Sequence, residues 1–368
     1  MKIGLLTEFF ALGEANDSGL GQHFHILADA LAANGYAVHV IHPSSTPSAV
    51  RAALTTLAPA WTWEVLDAQL PSLLWKPWRL SWSSKALFTH LWTALIVARH
   101  FRRSPAARSI EVIETHSYNI PAYFLVRRRV RPRLVTRVST TMSQMVAISP
   151  VQARALRVEA ILERQAIQRS DALVTHTREH RDIVCNLYGL APSRFKLLPH
   201  GVIDNGPPTP TTAYEVASDR EIVFLFVGRF EFRKGIDVLL DAIPEIAKSF
   251  PMARFILAGD RGDGTAWQSF VSAHPELASS RVQSLGRVSA AHLIQLYNNC
   301  DVFVAPSRYE SFGLIYAEAM SHGKPVIGCR AGGIPDVIQH NVTGILSEPG
   351  DTASLVSAMR QLANDPQL

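Results

Sequence analysis

Cysteine is nearly absent: Cys185, Cys300 and Cys329 are the only three in 368 residues. An odd number at wide spacing excludes a disulfide scaffold, and no Cys-x-x-Cys pair is present to hold zinc. Long apolar runs are also missing. The longest promising one, Leu91–Ala98, is too short to span a bilayer. The N-terminus, Met1-Lys2-Ile3-Gly4-Leu5-Leu6 with Glu8 close behind, lacks the shape of a secretory signal. We therefore expect a cytoplasmic protein, with association at a membrane surface left open. Neither a G-x-G-x-x-G fingerprint nor a Walker loop occurs.

What is present is ordinary for a folded chain: 47% apolar and 18% charged residues, with a formal net charge of +5. The length suggests two domains, at roughly 150 residues each. Charge is uneven. Met1 to Gly206 holds 23 Lys/Arg against 14 Asp/Glu, whereas the remainder holds 13 against 17. The basic excess gathers between Arg99 and Arg137, in the run Arg127-Arg128-Arg129 followed by Arg131 and Arg133. Such a patch suits nucleic acid, an anionic membrane or phosphorylated substrates, and equally a solvated face. No zinc-finger spacing or recognition helix accompanies it, so nucleic acid is not expected as a partner.

Hydrophobic periodicity divides the chain into two alternating units. Lys2–Thr7 reads as a buried strand, followed by a glycine loop, a helix over Gly21–Asn34 and a strand over Tyr36–His42. Further strands are read at 109–115, 132–139, 171–175 and 196–199, with a helix at 158–169. After the Pro- and Thr-rich stretch Asp204–Thr212 the pattern restarts. Strands fall at 221–227, 254–258, 301–305 and 325–328, and helices at 237–248, 312–322 and 352–363. The expectation is an α/β chain with a first domain at 1–203, a linker at 204–218 and a second domain at 219–368. Ligands of such sheets sit at the carboxyl ends of the strands, so a cleft between two such domains is the expected site.

Three loops at strand ends carry chemistry. Ser18-Gly19-Leu20-Gly21 precedes the first helix, where glycine lets backbone approach a ligand and free N–H groups favour a phosphate. A tight turn without a ligand has the same spelling. Gly228-Arg229-Phe230-Glu231-Phe232-Arg233-Lys234-Gly235 follows the first strand of the second half; Arg229 and Lys234 can clamp a diphosphate, or simply face solvent. In Glu310-Ser311-Phe312-Gly313-Leu314 the backbone can cap a phosphate. Glu318, farther along that helix, can accept hydrogen bonds from two ribose hydroxyls. Each carboxylate taken alone is equally an ordinary helix-start or surface residue.

Taken together, Glu310 and Glu318 in E-x7-E spacing, Gly323-Lys324-Pro325-Val326-Ile327, Gly332-Gly333-Ile334-Pro335-Asp336 and Asn341-Val342-Thr343-Gly344 resemble the signature of the retaining GT-B glycosyltransferases of family 4 (glycosyl transferases group 1). The Gly228–Gly235 loop, His200-Gly201-Val202-Ile203-Asp204 and the Ser18–Gly21 loop extend the resemblance to nearly the whole chain. It is weakest between Thr46 and Ser109. It implies two Rossmann-like domains facing each other across a cleft, the first on the acceptor side and the second binding a nucleotide-sugar donor. By resemblance the catalytic candidates are Glu310, His116, Arg229 and Lys234. The donor contacts are Gly19, Gly21, Ser311, Phe312, Gly313, Leu314 and Glu318, alongside Arg229 and Lys234. His116 ends a first-domain strand, where a lone histidine is otherwise usually structural. The implied reaction is retaining hexosyl transfer from a UDP- or GDP-sugar to a glycan, lipid-linked or small-molecule acceptor. Lipopolysaccharide and other polysaccharide biosynthesis would use such a step. The E-x7-E carboxylates are then a donor site, not the acid/base pair of a glycosidase.

No cofactor or metal is implied. No Asp-x-Asp pair occurs, and His23 and His25, at i and i+2, point to different faces of a helix. Six of seven tryptophans, Trp61, Trp63, Trp75, Trp78, Trp82 and Trp92, fall within 61–92, interleaved with Arg79 and Lys85. Peripheral contact with an anionic membrane, an inserted helical hairpin packed on the first domain and an aromatic-lined groove for sugar all fit that segment. Family members usually continue beyond the equivalent of Leu368 into a helix that returns to the first domain, so the sequence reads as a fragment or a shortened member. A GT-B-like sugar-nucleotide epimerase and a non-catalytic nucleotide- or glycan-binding member are the alternative functions.

Overall fold

The computed structural model describes residues 1–10, 19–71, 82–148, 153–202 and 221–364. Two compact units result: Met1–His176 with Arg181–Gly201, and Thr177–His180 with Val202–Leu368. The expected linker lies outside the described residues, as do Trp75, Trp78 and the side chain of Trp82.

In chain order the first unit holds β1 (Lys2–Leu6), α1 (Gly19–Ala33), β2 (Ala37–Ser44), α2 (Pro47–Leu57), β3 (Thr62–Asp67), α3 (Trp82–Arg103), α4 (Pro105–Arg108), β4 (Val112–His116), β5 (Arg133–Arg137), α5 (Met142–Ile148), α6 (Ala153–Arg169), β6 (Ala172–Thr175), α7 (Arg178–Tyr188) and β7 (Phe195–Leu197). The strands form one parallel sheet in the order β3-β2-β1-β4-β5-β6-β7. Successive residues serve opposite faces. Leu5, Val40 and Val65 join Phe24 and Ala28 of α1 in one core, whereas Leu6, Ile41 and Leu66 join Val97 and Phe101 of α3 in another. A parallel sheet buried on both faces requires such continuously apolar strands.

The second unit repeats the plan. It holds β8 (Ile222–Val227), α8 (Ile236–Ser249), β9 (Ala253–Ala258), α9 (Thr265–Ala273), α10 (Pro275–Ser280), β10 (Val282–Gly286), α11 (Ala290–Asn299), β11 (Val302–Val304), α12 (Leu314–Ser321), β12 (Val326–Cys329), α13 (Ile334–Val337), β13 (Gly344–Ser347) and α14 (Thr352–Asn364). Its sheet order is β10-β9-β8-β11-β12-β13, all parallel. In each sheet the order reverses between its first strand and its fourth, β1/β4 and β8/β11.

Three strands escape the hydrophobic pattern: β3, β10 and β13. Each is short and carries polar residues or glycine, so neither alternation nor a solid apolar run marks it. Finding β3 changes the reading of the tryptophans. Trp61 is buried, donates Nε1–H to Asp29 Oδ1 at 2.8 Å and packs edge-on against Phe10. It belongs to the core rather than to a membrane face. The three cysteines are buried, and burial pushes their thiols up, Cys300 to about 12.

One buried acid makes stability depend on pH. Glu163 Oε2 accepts from the Met142 amide at 2.8 Å and from Tyr188 OH at 3.0 Å, while Oε1 has no partner. Burial raises its carboxyl to about 8. Between the ordinary carboxylate value and that point the folded chain keeps a proton that the unfolded chain has lost. Stability therefore falls as pH rises through this window. Glu163→Gln removes that slope. The melting temperature of the variant minus that of wild type should grow from about pH 5 to about pH 8, measured by calorimetry; a constant difference would refute the assignment.

Candidate functional site

Parallel sheets take ligands where strand order reverses, outside the carboxyl ends. In the second unit that place lies between the loops following β8 and β11, and both bear residues singled out from the sequence. Gly235 takes φ +68°, and a Cβ there would lie 1.9 Å from the Pro306 carbonyl oxygen. Only glycine permits this approach. It brings Arg233 and Lys234 against Glu310. Lys234 Nζ lies 2.5 Å from Glu310 Oε1, Arg233 Nη1 lies 3.1 Å from Oε2, and Ser307 Oγ donates to Oε1 at 3.2 Å. Burial alone would raise the Glu310 carboxyl, but the Lys234 ammonium and Arg233 guanidinium outweigh it and hold the group below its usual range. Arg308 fastens the same two loops, with both terminal nitrogens 2.7 Å from the Asp237 carboxylate and its amide donating to the Arg233 carbonyl. Arg233, Arg308 and Asp237 are contributors that sequence reasoning missed; a second cation beside Lys234 was the available signal.

The peptide around Ser311 is fixed from beneath. The Gly333 amide donates to the Glu310 carbonyl at 2.7 Å, and a Cβ on Gly333 would lie 2.3 Å from the Ser311 carbonyl oxygen. Phe312 is buried. Gly313, at φ +96°, opens α12 so that the helix start at Leu314 presents amides not yet used by the helical ladder. Glu318 sits on this helix and accepts from Tyr297 OH at 2.9 Å. Burial raises its carboxyl above the ordinary value, in the opposite direction to Glu310. Arg229 does not touch Glu310: its side chain is 66% exposed and lies 3.3 Å from Glu231, which also accepts from Arg233 at 2.7 Å.

Beside this site, glycines let the ends of β8, β9 and β10 close up. A Cβ on Gly259 would lie 2.0 Å from the Gly228 carbonyl, and the Gly259 amide donates to Gly286. Asp260 Oδ1 accepts from the Gly262 amide and Asp263 Oδ1 from the Thr265 amide, so both acids shape turns. Among the described residues no group of His, Cys, Asp or Glu is placed to hold a metal ion.

In the first unit, Gly19 and Gly21 open α1 after β1, and His116 ends β4. His116 Nδ1 faces the Tyr118 carbonyl at 2.7 Å and must donate to it, which leaves Nε2 as an acceptor; that atom is buried without a partner. Burial lowers the imidazole to about 4, so it is neutral at physiological pH. Asn119 and Ile120 follow at φ +56° and +49°, a strained loop of the kind that active sites retain. Farther along the same edge, His200 stacks on His176 with ring centroids 3.7 Å apart, and its Nδ1 lies 3.1 Å from His23 Nδ1. Arg137 Nε donates to Glu114 Oε1 at 2.6 Å beneath them.

The sequence profile of Glycosyltransferase Family 4 matches residues 18–205, and that of Glycosyl transferases group 1 matches residues 221–365. The D-inositol 3-phosphate glycosyltransferase of Xylanimonas cellulosilytica is 30% identical over 279 residues, spanning 72% of this chain and 66% of the relative. The glycogen synthase of Mycobacterium tuberculosis is 26% identical over 379 aligned positions, spanning 95% of this chain and 83% of the relative. Against others, such as the D-inositol 3-phosphate glycosyltransferase of Mycobacterium sp., the chain spans 47% of the relative. Among solved structures, the sucrose-phosphate synthase of Thermosynechococcus elongatus superposes with a TM-score of 0.77 at 20% identity, covering 100% of this chain and 90% of that one. Anabaena HepE in complex with UDP-glucose superposes at 0.68 and 20% identity, covering 100% and 91%. At this identity the neighbours show the fold, which is GT-B.

Removing Lys234 takes away one of the two cations that compensate the buried Glu310 carboxylate and leaves it to Arg233. Lys234→Met should cost about 3 kcal/mol in urea unfolding. Adding Glu310→Gln to it should recover part of that loss; a double variant no more stable than the single one would contradict the pairing.

Proposed function

We propose a function from the premise that these matches establish: the chain belongs to the glycosyltransferase family 4 group. It transfers a hexosyl group from a nucleotide-sugar donor, a UDP- or GDP-sugar, to a glycan, lipid-linked or small-molecule acceptor, with retention at the anomeric carbon. One observation carries this reading. A carboxylate held by two cations stands directly before a glycine-opened helix that bears a second carboxylate, paired to a tyrosine hydroxyl, all at the point where the sheet order reverses.

In this reading the diphosphate lies on the amides of Gly313 and Leu314. The exposed Arg229 and Lys234 neutralise it. Glu318 accepts from the ribose hydroxyls, oriented by Tyr297. Glu310 and the backbone of Ser311 and Phe312 meet the donor sugar. In the first unit the unpartnered Nε2 of His116 accepts from a sugar hydroxyl, and Gly19 and Gly21 give close backbone approach to phosphate. The bond from the anomeric carbon to the leaving phosphate oxygen breaks while the acceptor oxygen bonds to the same face. The acceptor's proton passes to the departing diphosphate. Such chemistry needs fixed positive charge at the leaving group more than it needs a base. Anabaena HepE, solved with UDP and with UDP-glucose, supports a nucleotide-sugar donor. A lipid-linked acceptor would place the reaction at a bilayer, so peripheral contact with an anionic membrane belongs to the same reading.

A thermal-shift titration with UDP, GDP, ADP and CMP tests the donor site, because a ligand of the folded state raises its melting point. One nucleoside diphosphate should shift wild type selectively. Glu318→Ala should weaken that nucleotide about tenfold or more, through lost hydrogen bonds to a charged group. Unchanged affinity in the variant would remove Glu318 from the ribose, and no shift with any nucleotide would overturn the transferase reading.

A further inference from the structure

Helix α3 divides into two faces. Ala94, Val97 and Phe101 point into the core. Phe88, Trp92, Leu95, Arg99 and Arg102, spaced four, three, four and three apart, share the other face. Phe88 is 40% and Leu95 37% exposed. The helix contains no Asp or Glu, and its last turn holds His100, Arg102 and Arg103. Among the described residues Arg99, Arg102 and Arg103 have no hydrogen bond or ion pair. The helix is not apolar enough to cross a membrane.

Between this helix and the end of β3 lies an open cavity of about 480 Å³. Its floor is Val65, Leu66, Trp92 and Ile96, and Trp92 is fixed there by its Nε1–H bond of 3.1 Å to the Gln69 carbonyl. At its rim stand Arg99, Arg103, His100 and Asp67. Asp67 is engaged with the Gln69 amide, and His100 lies 3.1 Å from Glu64, so the two arginines are the rim charges left for a ligand. Arg128 Nη1 donates to the Ala98 carbonyl at 3.3 Å, which seats the loop 127–133 beside α3 and adds Arg129, Arg133 and Val130, the last 85% exposed.

We propose that this surface docks on an anionic phospholipid bilayer. Phe88 and Leu95 enter the interfacial layer, and the cavity receives one lipid, its phosphate on Arg99 and Arg103 and its upper chain on Val65, Leu66 and Ile96. Apolar side chains beside unpaired arginines, on a helix without acids, are what an anionic lipid surface complements and a neutral one does not. The surface deepens the reading of a lipid-linked acceptor given above, since it would hold the enzyme where such an acceptor lies.

Co-sedimentation of the whole chain with phosphatidylcholine vesicles, with and without phosphatidylglycerol, tests it. Binding should require phosphatidylglycerol and weaken as salt is raised. Arg99→Glu with Arg103→Glu should reduce it at least about 25-fold, at about fivefold per arginine near such a surface. Phe88→Ser with Leu95→Ser should reduce it roughly tenfold. Nucleotide-induced thermal shifts equal to wild type in both variants show that each is folded. Wild type that ignores phosphatidylglycerol vesicles, or charge-reversed protein that binds them equally, overturns the proposal. So does saturable binding of a short-chain, water-soluble phosphatidylglycerol without vesicle binding, which would assign the cavity to a soluble anion. Wild type that binds a nucleotide but no vesicle would sink this surface alone; wild type that binds vesicles but no nucleotide would sink only the donor site.

Discussion

The second unit depends on one buried carboxylate. Glu310 has left water almost completely, which would be costly for an unpaired anion. Two cations and a hydroxyl compensate it, and they reach it only because Gly235 lets the loop after β8 touch the loop after β11. That contact fixes the direction in which Ser311, Phe312 and Gly313 leave Glu310, and so the direction in which α12 starts. Glu318 is then positioned by the helix rather than by an ion pair. The two carboxylates consequently lean opposite ways in acidity although one loop and one short helix join them.

The first unit solves a similar problem differently. Its sheet ends in neutral imidazoles instead of an ion pair with two cations. Burial lowers His200 to about 2 and His116 to about 4, and lowers His23 as well. Burial alone would raise the Glu114 carboxyl, but His23, 3.7 Å away, and the charge and hydrogen bond of Arg137 hold it down. The result is a row of hydrogen-bonding groups with little net charge, while the excess arginines face outward around α3 and the loop before β5.

Much of this was legible beforehand, and the misses have physical causes. Apolar runs such as Val223–Val227 and Val38–Ile41 announced central strands because both faces of a parallel sheet are buried. β3 stayed hidden because Glu64 and Asp67 lie within or at the end of it, and the aromatic richness of Trp61 and Trp63 suggested a membrane face. Glu310, Lys234 and Gly313 could be picked out by motif. Arg233 could not be separated from Lys234 by type alone, and the partnership of Tyr297 with Glu318 joins helices 21 residues apart, a pairing set by how α11 and α12 pack. His116 was recognisable as a strand-end histidine, but its empty acceptor atom is a consequence of the turn that follows it.

The three thiols described with the core give the chain a practical property. Each is buried, and burial raises each thiol above its ordinary value, Cys300 to about 12. The thiolate is the reactive species toward maleimides and iodoacetamides, so the native protein is a blank background for these reagents. A cysteine introduced at Leu95 or Arg229 would be labelled alone. One fluorophore could then watch the exposed face of α3, and another the loop after β8, without first stripping cysteines from the core.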